Sequence, residues 1–403
     1  MPESKRFRIL HNAGLNELNE YPFQRLSETL KNISPPKKVT PIDMSIGEPS
    51  HNQPKFIKNI INQNYIGWQK YPPTIGTLEL RKSCVNWLNR RYNLDSKMLN
   101  PEKNILPVAG TRDGLFSIAL AFVNNKNTKV FIPNPFYQVY IGAAIISGAK
   151  FKLLKAKKNY NFLPNLEELD KKITCNDIIY ICSPSNPQGR SADIQYWKKI
   201  ISIARKSNSL LIADECYSEI YTDRAPIGIL EACKTMNKSM NNIIAFHSLS
   251  KRSNAPGLRS GFAVGDPDII RIFIKLRRYM GGQVPLPIQS ISAALWDDDF
   301  HVEKNRQKYK NKFEHANQVL HDFPGYYKPD GGFYLWLDVK DGINMTKKLW
   351  SEEGVKVLPG LFLGNGTTNS NPGKNYIRIA MVPPEKECAE AIDRIAKVLK
   401  CKK

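Results

Sequence analysis

The sequence predicts an α/β protein: a large domain built on a mainly parallel sheet, followed by a smaller α+β unit. Three observations carry this. Short apolar runs rich in β-branched residues recur between residues 104 and 264. Amphipathic stretches of helical period stand between those runs. Turn-forming Gly, Pro, Asn and Asp punctuate their ends, and the alternation of the three is the pattern of strands joined by crossover helices.

Taken in order, strands are expected at residues 104–108, 129–132, 177–182, 210–213, 243–246 and 261–264, and helices at 111–123, 137–147 and 194–206. The turns NPF, SPSNPQG and DECYSEIY each follow a strand directly. Ligands of open parallel sheets gather at strand C-terminal ends, so these turns are where chemistry is expected. After about residue 285 the texture changes to a long polar-rich helical stretch (298–322), a strand (332–339), a helix, two short strands and a final helix. The chain is therefore divided into an N-terminal arm that packs with the small unit or a neighbouring subunit (1–45), a large domain (46–290) and a small C-terminal domain (291–403). The stretch GNGTTNSNPGKN (364–375) is almost wholly turn formers and reads as a loop that moves.

Composition excludes several classes. No apolar run is long enough to span a bilayer, and MPESKRFRIL lacks the apolar core of a secretory signal, so a cytoplasmic address is expected. The seven cysteines form no CxxC pair and the six histidines no HxxxH or HExxH pattern, so no structural metal is expected. A net charge of +22 would attract polyanions. The lysines are spread along the whole chain, however, with no zinc-finger spacing or aromatic-basic signature, which argues against specific nucleic-acid binding. Anionic substrates and a phosphate-bearing cofactor are a better use of that charge.

The segment HSLSKRSNAPGLRSGF (247–262) is the strongest chemical signal. It sets Ser248 and Ser250 three and one residues before Lys251, with Arg259 eight residues after it. Alone, such a lysine reads as a solvated side chain on a turn. Upstream, in order, stand AGTRDG (109–114), SPSNPQG (183–189) and ADECYSEIY (213–221). AGT before a helical pattern offers the N–H groups of Gly110 and Thr111 at a helix N-terminus, where an anion is favoured. Together the four motifs resemble the fold-type I pyridoxal-phosphate enzymes of the class I/II aminotransferase family.

The resemblance implies a seven-stranded, mainly parallel sheet, pyridoxal 5'-phosphate as cofactor, and a role for each matching residue. Lys251 would hold the cofactor as a Schiff base and carry the proton. A lysine of ordinary pKa, about 10.4, has to be lowered for that work. Asp214 would pair with the pyridine nitrogen, Tyr217 and Asn186 would bond the ring's phenolic oxygen, and Tyr137 would stack on the ring. Gly110, Thr111, Ser248, Ser250 and Arg259 would cradle the phosphate. Arg378, in IRIA, would clamp the substrate α-carboxylate with the Gly47 backbone nearby. Tyr71, in YPPTIG, would reach across a homodimer interface to the other cofactor's phosphate. No metal is implied.

Longer strings, among them MSIGEPSHNQP, PNPFYQVYIGAA, FHSLSKRSNAPGLRSGF and GGFYLWLD, resemble the succinyldiaminopimelate aminotransferase branch. That branch implies amino transfer between N-succinyl-LL-2,6-diaminopimelate and 2-oxoglutarate, a step of lysine biosynthesis. Arg112, Arg252 and Arg278 are candidates for the distal carboxylates, each with a surface role as the alternative. Gln188 and Gly114 depart from the threonine and alanine common in relatives. An aspartate, aromatic or alanine aminotransferase, a β-lyase, and a binding protein with a vestigial cofactor fold remain as other readings.

Overall fold

The runs IIYIC (Ile178–Cys182) and LLIAD (Leu210–Asp214) are buried along their whole length. Continuous apolar strands of this kind form where both faces of a sheet are covered by helices. The computed structural model, which describes residues 11–367 and 369–400, places them at the centre of a seven-stranded sheet. Residues 1–10 of the expected arm, Thr368 of the 364–375 loop and Cys401 lie outside the described residues.

Across the sheet the strands run Ile105–Val108, Gly261–Gly265, Ile243–Ser248, Leu210–Asp214, Ile178–Cys182, Lys129–Asn134 and Lys150–Lys155. All pair in parallel except Gly261–Gly265, which is antiparallel to both neighbours. The strand Lys150–Lys155 (KFKLLK) was not among the expected ones. It is the sheet edge, its lysines face solvent, and so it reads as a polar connector although charge is what protects an edge from unwanted pairing. The strand order reverses between Lys129–Asn134 and Ile178–Cys182, the topological switch point at which ligands of such sheets bind.

The helices follow local chemistry. Ile194–Lys206 is capped by the Asp193 carboxylate on the Tyr196 N–H, buries Trp197, Ile200, Ile201, Ile203 and Ala204, and ends on Arg205 and Lys206. Thr111–Phe122 starts after Gly110, whose φ of 81° favours glycine. Within it, a Cβ on Gly114 would stand 2.6 Å from the Phe246 ring, so alanine at this position would need the ring to move.

A second core is formed by the helix Phe300–Leu320, the antiparallel strands Tyr376–Ala380 and Tyr334–Asp338, and the helix Glu385–Lys400, with the strand Leu358–Pro359 pairing antiparallel to Tyr376–Ala380. Ile42–Asp43 pairs with Val355–Lys356, so the N-terminal segment joins this unit. Ile291, Ala293, Leu295 and Trp296 instead belong to the core beside the large sheet. We therefore propose that the small domain starts after Asp297 rather than at residue 291. The 364–375 loop is tied down near its start, where Asn134 donates to the Asn365 carbonyl and accepts from its N–H.

Candidate active site

A cavity of about 560 Å³ opens at the C-terminal ends of the central strands, between the two cores. Asp214 ends the strand Leu210–Asp214 and faces it from a buried position. Its Oδ1 accepts from the Cys216 N–H at 3.2 Å and its Oδ2 from the Tyr140 hydroxyl at 2.5 Å. Burial raises the Asp214 pKa, while those two donors and the Lys251 charge pull it back. Among the described residues no basic side chain lies within ion-pair distance of it.

Lys251 projects into the same cavity from the one-turn helix Leu249–Arg252, which is capped by the Ser248 hydroxyl on the Ser250 N–H. Its Nζ donates to the Gly47 carbonyl at 3.1 Å and lies 5.1 Å from the centre of the Phe333 ring. Burial pushes its pKa down to about 8, helped by Arg378 and Arg112 and opposed by Cys216 and Asp214. The neutral amine, which is the nucleophile, therefore gains population as pH rises through about 8. Reductive methylation of the cofactor-free protein, followed by peptide mass analysis, is expected to show Lys251 labelling with a midpoint near 8. Exposed lysines would follow only about two pH units later. A Lys251 midpoint among the exposed lysines would show that burial does not lower it.

Ser248, Ser250, Thr111 and Arg259 face the cavity beside Lys251. Arg259 has a φ of 50° and donates from Nη1 to the Pro256 carbonyl at 2.9 Å, which aims its other nitrogens at Gly110. A Cβ on Gly110 would stand 2.2 Å from Nη2 of Arg259, so only glycine lets this guanidinium close on the start of the helix Thr111–Phe122. The Cys216 thiol reaches the Thr111 hydroxyl at 3.0 Å and fixes it from below.

On the opposite wall, Arg378 sits on the strand Tyr376–Ala380 and is 4 % exposed. Its Nη2 donates to the Ser45 carbonyl at 2.8 Å, Nη1 to the Asn186 side-chain oxygen at 3.2 Å, and its guanidinium lies 4.3 Å from the Tyr334 ring centre. Its Nε is buried without a partner. Gly47 also lines the cavity; a Cβ there would stand 1.9 Å from the Tyr334 hydroxyl. That hydroxyl is 3.4 Å from the Tyr217 hydroxyl. Tyr137 is placed by Arg112, whose Nε donates to its hydroxyl at 2.6 Å.

Three expected residues stand elsewhere. Arg252 is buried away from the cavity, bound to the Leu295 and Asp298 carbonyls and to Asp299, so it is spent on structure and corrects the distal-carboxylate expectation. Arg278 is exposed on the helix Pro267–Met280 and lines no part of this chain's cavity. Tyr71 is 101 % exposed and outside the cavity. Residues that the sequence reading missed are Tyr140 under Asp214, Cys216 under Thr111, Tyr334 against Arg378, and Tyr21 at the mouth, 3.5 Å from Arg112. Cys216 and Tyr140 lie inside quoted motifs; Tyr334 carried no signal beyond lying in GGFYLWLD, and Tyr21 none beyond opening the string YPFQRL (21–26).

A doubly wound sheet that brings a lysine, an aspartate and three arginines to one cavity at its switch point is the architecture of a fold-type I transferase. The family described as aminotransferase class I and II matches residues 39–395, and the chain belongs to it. Pyridoxal 5'-phosphate is the cofactor of this family. The LL-diaminopimelate aminotransferase of Aquifex aeolicus (strain VF5) is 30% identical over 366 residues, 89% of this chain and 91% of the relative. An aminotransferase from Neisseria meningitidis Z2491 superposes with a TM-score of 0.89 at 37% identity, covering 96% of this chain and 100% of that one. Aminotransferase AspB from Helicobacter pylori 26695 gives 0.87 at 34% identity, covering 95% and 99%.

Proposed function

We propose that this aminotransferase exchanges an amino group between N-succinyl-LL-2,6-diaminopimelate and 2-oxoglutarate, in the cytoplasm. The observation that carries a substrate with more than one carboxylate is the pair of guanidinium groups that the cavity holds besides Arg259. Arg378 is buried in the wall with Nε unpartnered, and Arg112 stands at the mouth beside Tyr21 and Tyr137. Guanidinium groups recognise carboxylates through parallel hydrogen bonds, and two of them at different depths suit a long diacid.

The residues fit the cofactor. The unpaired, buried Asp214 carboxylate suits a protonated ring nitrogen, and the close approach of Arg259 to Gly110 at a helix N-terminus suits a phosphate. Ser248, Ser250 and Thr111 line the cavity and would add donors beside it; Tyr217 and Asn186, in the same lining, would bind the ring oxygen, and Tyr137 would supply the stacking face. When bound, pyridoxal phosphate supplies an electron sink that acidifies the substrate α-carbon. Lys251, whose amine loses its proton as pH rises through about 8, removes that proton and returns it one position away. Arg378 holds the α-carboxylate so that the proton to be moved faces Lys251. Tyr334 and Phe333 exclude water from the amine.

A second reading is favoured by one observation. The A. aeolicus relative carries the name LL-diaminopimelate aminotransferase, which points to the same diamino acid without a succinyl group. The two are separated by following the cofactor's visible band. It is expected to be lost on adding glutamate and to return fast only with the N-succinylated keto diacid. Return with the unsuccinylated acceptor alone selects the second reading, and no loss with glutamate removes its donor role.

We also propose a homodimer. Tyr65, Ile66, Trp68, Tyr71, Ile75 and Leu78 leave a run of large apolar side chains exposed on one chain, and Tyr71, which lies outside its own cavity, would enter a partner's site.

A further inference from the structure

A lysine is almost never fully buried without a partner charge, yet Lys312 is 2 % exposed on the helix Phe300–Leu320 and pairs with no carboxylate among the described residues. Its three donors are all used: the Met381 carbonyl at 3.1 Å, the Val382 carbonyl at 3.2 Å and the His51 Nε2 at 2.8 Å. An ammonium has no lone pair, so His51 must accept at Nε2 and carry its proton at Nδ1. From there it donates to the Asn305 side-chain oxygen at 2.8 Å, which also takes a bond from Asn254 at 2.7 Å. The Asn305 amide in turn donates to the Lys251 and Arg252 carbonyls, both at 3.4 Å. The Tyr309 ring packs on both cation and imidazole, at 5.0 and 4.7 Å. Burial and the Lys312 charge push the His51 pKa down to about 4, so the imidazole stays neutral as this order requires.

The bonds thus run outward from Lys312. On one side it donates to the carbonyls three and four residues beyond Arg378; on the other the bonds pass through His51 and Asn305 to the peptide carbonyl of Lys251. His51 lies four residues beyond Gly47, whose carbonyl receives the Lys251 amine, and Ser50 holds the Val382 carbonyl as well. An apolar filling of the same volume is often no less stable, whereas a polar chain in which the side-chain groups of His51, Lys312 and Asn305 are all partnered selects one geometry. We propose that His51, Lys312 and Asn305 are positioning residues, through which the helix Phe300–Leu320 sets the Lys251 turn and the Arg378 strand at one mutual distance. None of them touches the cavity.

The test uses the holoenzymes His51→Leu and His51→Gln with glutamate as donor. Glutamine keeps the order, its amide donating to Asn305 and its oxygen accepting from Lys312; leucine abolishes it. Leucine is expected to lower kcat/KM between about ten- and a hundredfold, shared between a higher KM from Arg378 and a lower kcat from Lys251, and glutamine to recover most of that. If the leucine variant does not fold, Lys312→Met is judged by the same split. A folded variant with a lower melting temperature but unchanged kcat and KM overturns the proposal, as does glutamine no better than leucine. The inference rests on the roles given above to Lys251 and Arg378. Those roles fail if Lys251→Ala and Arg378→Ala keep their turnover. The proposal fails separately if these two lose it and the His51 and Lys312 variants do not.

Discussion

Lys251→Ala is expected to lose nearly all turnover while the chain stays folded. Among the described residues that line the cavity, this amine is the one group with a lowered pKa, and it lies close to Gly47, Phe333 and Tyr217. Loss of a positioned proton carrier alone costs about 10²- to 10⁴-fold, and loss of the attachment point adds to it. Stability is expected to hold, because the amine makes one side-chain hydrogen bond and its charged form is penalised by burial. Absorbance and single-turnover kinetics of the purified variant check this. A variant with the normal visible band and normal turnover would remove Lys251 from the site.

Arg378→Ala is expected to show the second largest effect, of a different kind. The guanidinium is anchored on Ser45 and Asn186 and backed by Tyr334, so its position is set before any substrate arrives. Removing one member of a buried charge pair costs about 2–5 kcal/mol, which is roughly 30- to 5,000-fold in kcat/KM. Most of it should appear as a raised KM for amino acids in general, because every substrate carries the α-carboxylate. The cofactor should stay bound, since its phosphate and ring donors lie on other elements. Lysine is not expected to rescue, because one ammonium cannot make two parallel bonds. Normal KM for glutamate in the alanine variant would free Arg378 from this role.

The elements most legible in the sequence are those whose signal is local. The runs 177–182, 210–213 and 243–246 read as covered strands, and the segment 193–206 carried its cap Asp193, its apolar face and its basic last turn in fourteen adjacent residues. The edge strand Lys150–Lys155 was hidden because exposed lysines give an edge the texture of a loop. Of the cavity, Lys251, Asp214, Asn186, Arg259 and Arg378 were found through motif order. Choice among the arginines was not, since Arg112, Arg252 and Arg278 have similar surroundings in sequence and entirely different ones in space.

By itself, then, the sequence determined the alternation of strands and helices, the turns that carry chemistry, and the family those turns belong to. These follow from chain periodicity and residue type, which are properties of neighbours. The tertiary structure alone decided that Tyr140 holds an aspartate 74 residues away, that Tyr334 backs Arg378, and that Lys312 reaches the Lys251 turn through His51 and Asn305. Such contacts depend on which faces two cores turn toward each other, and packing sets that for the whole chain at once.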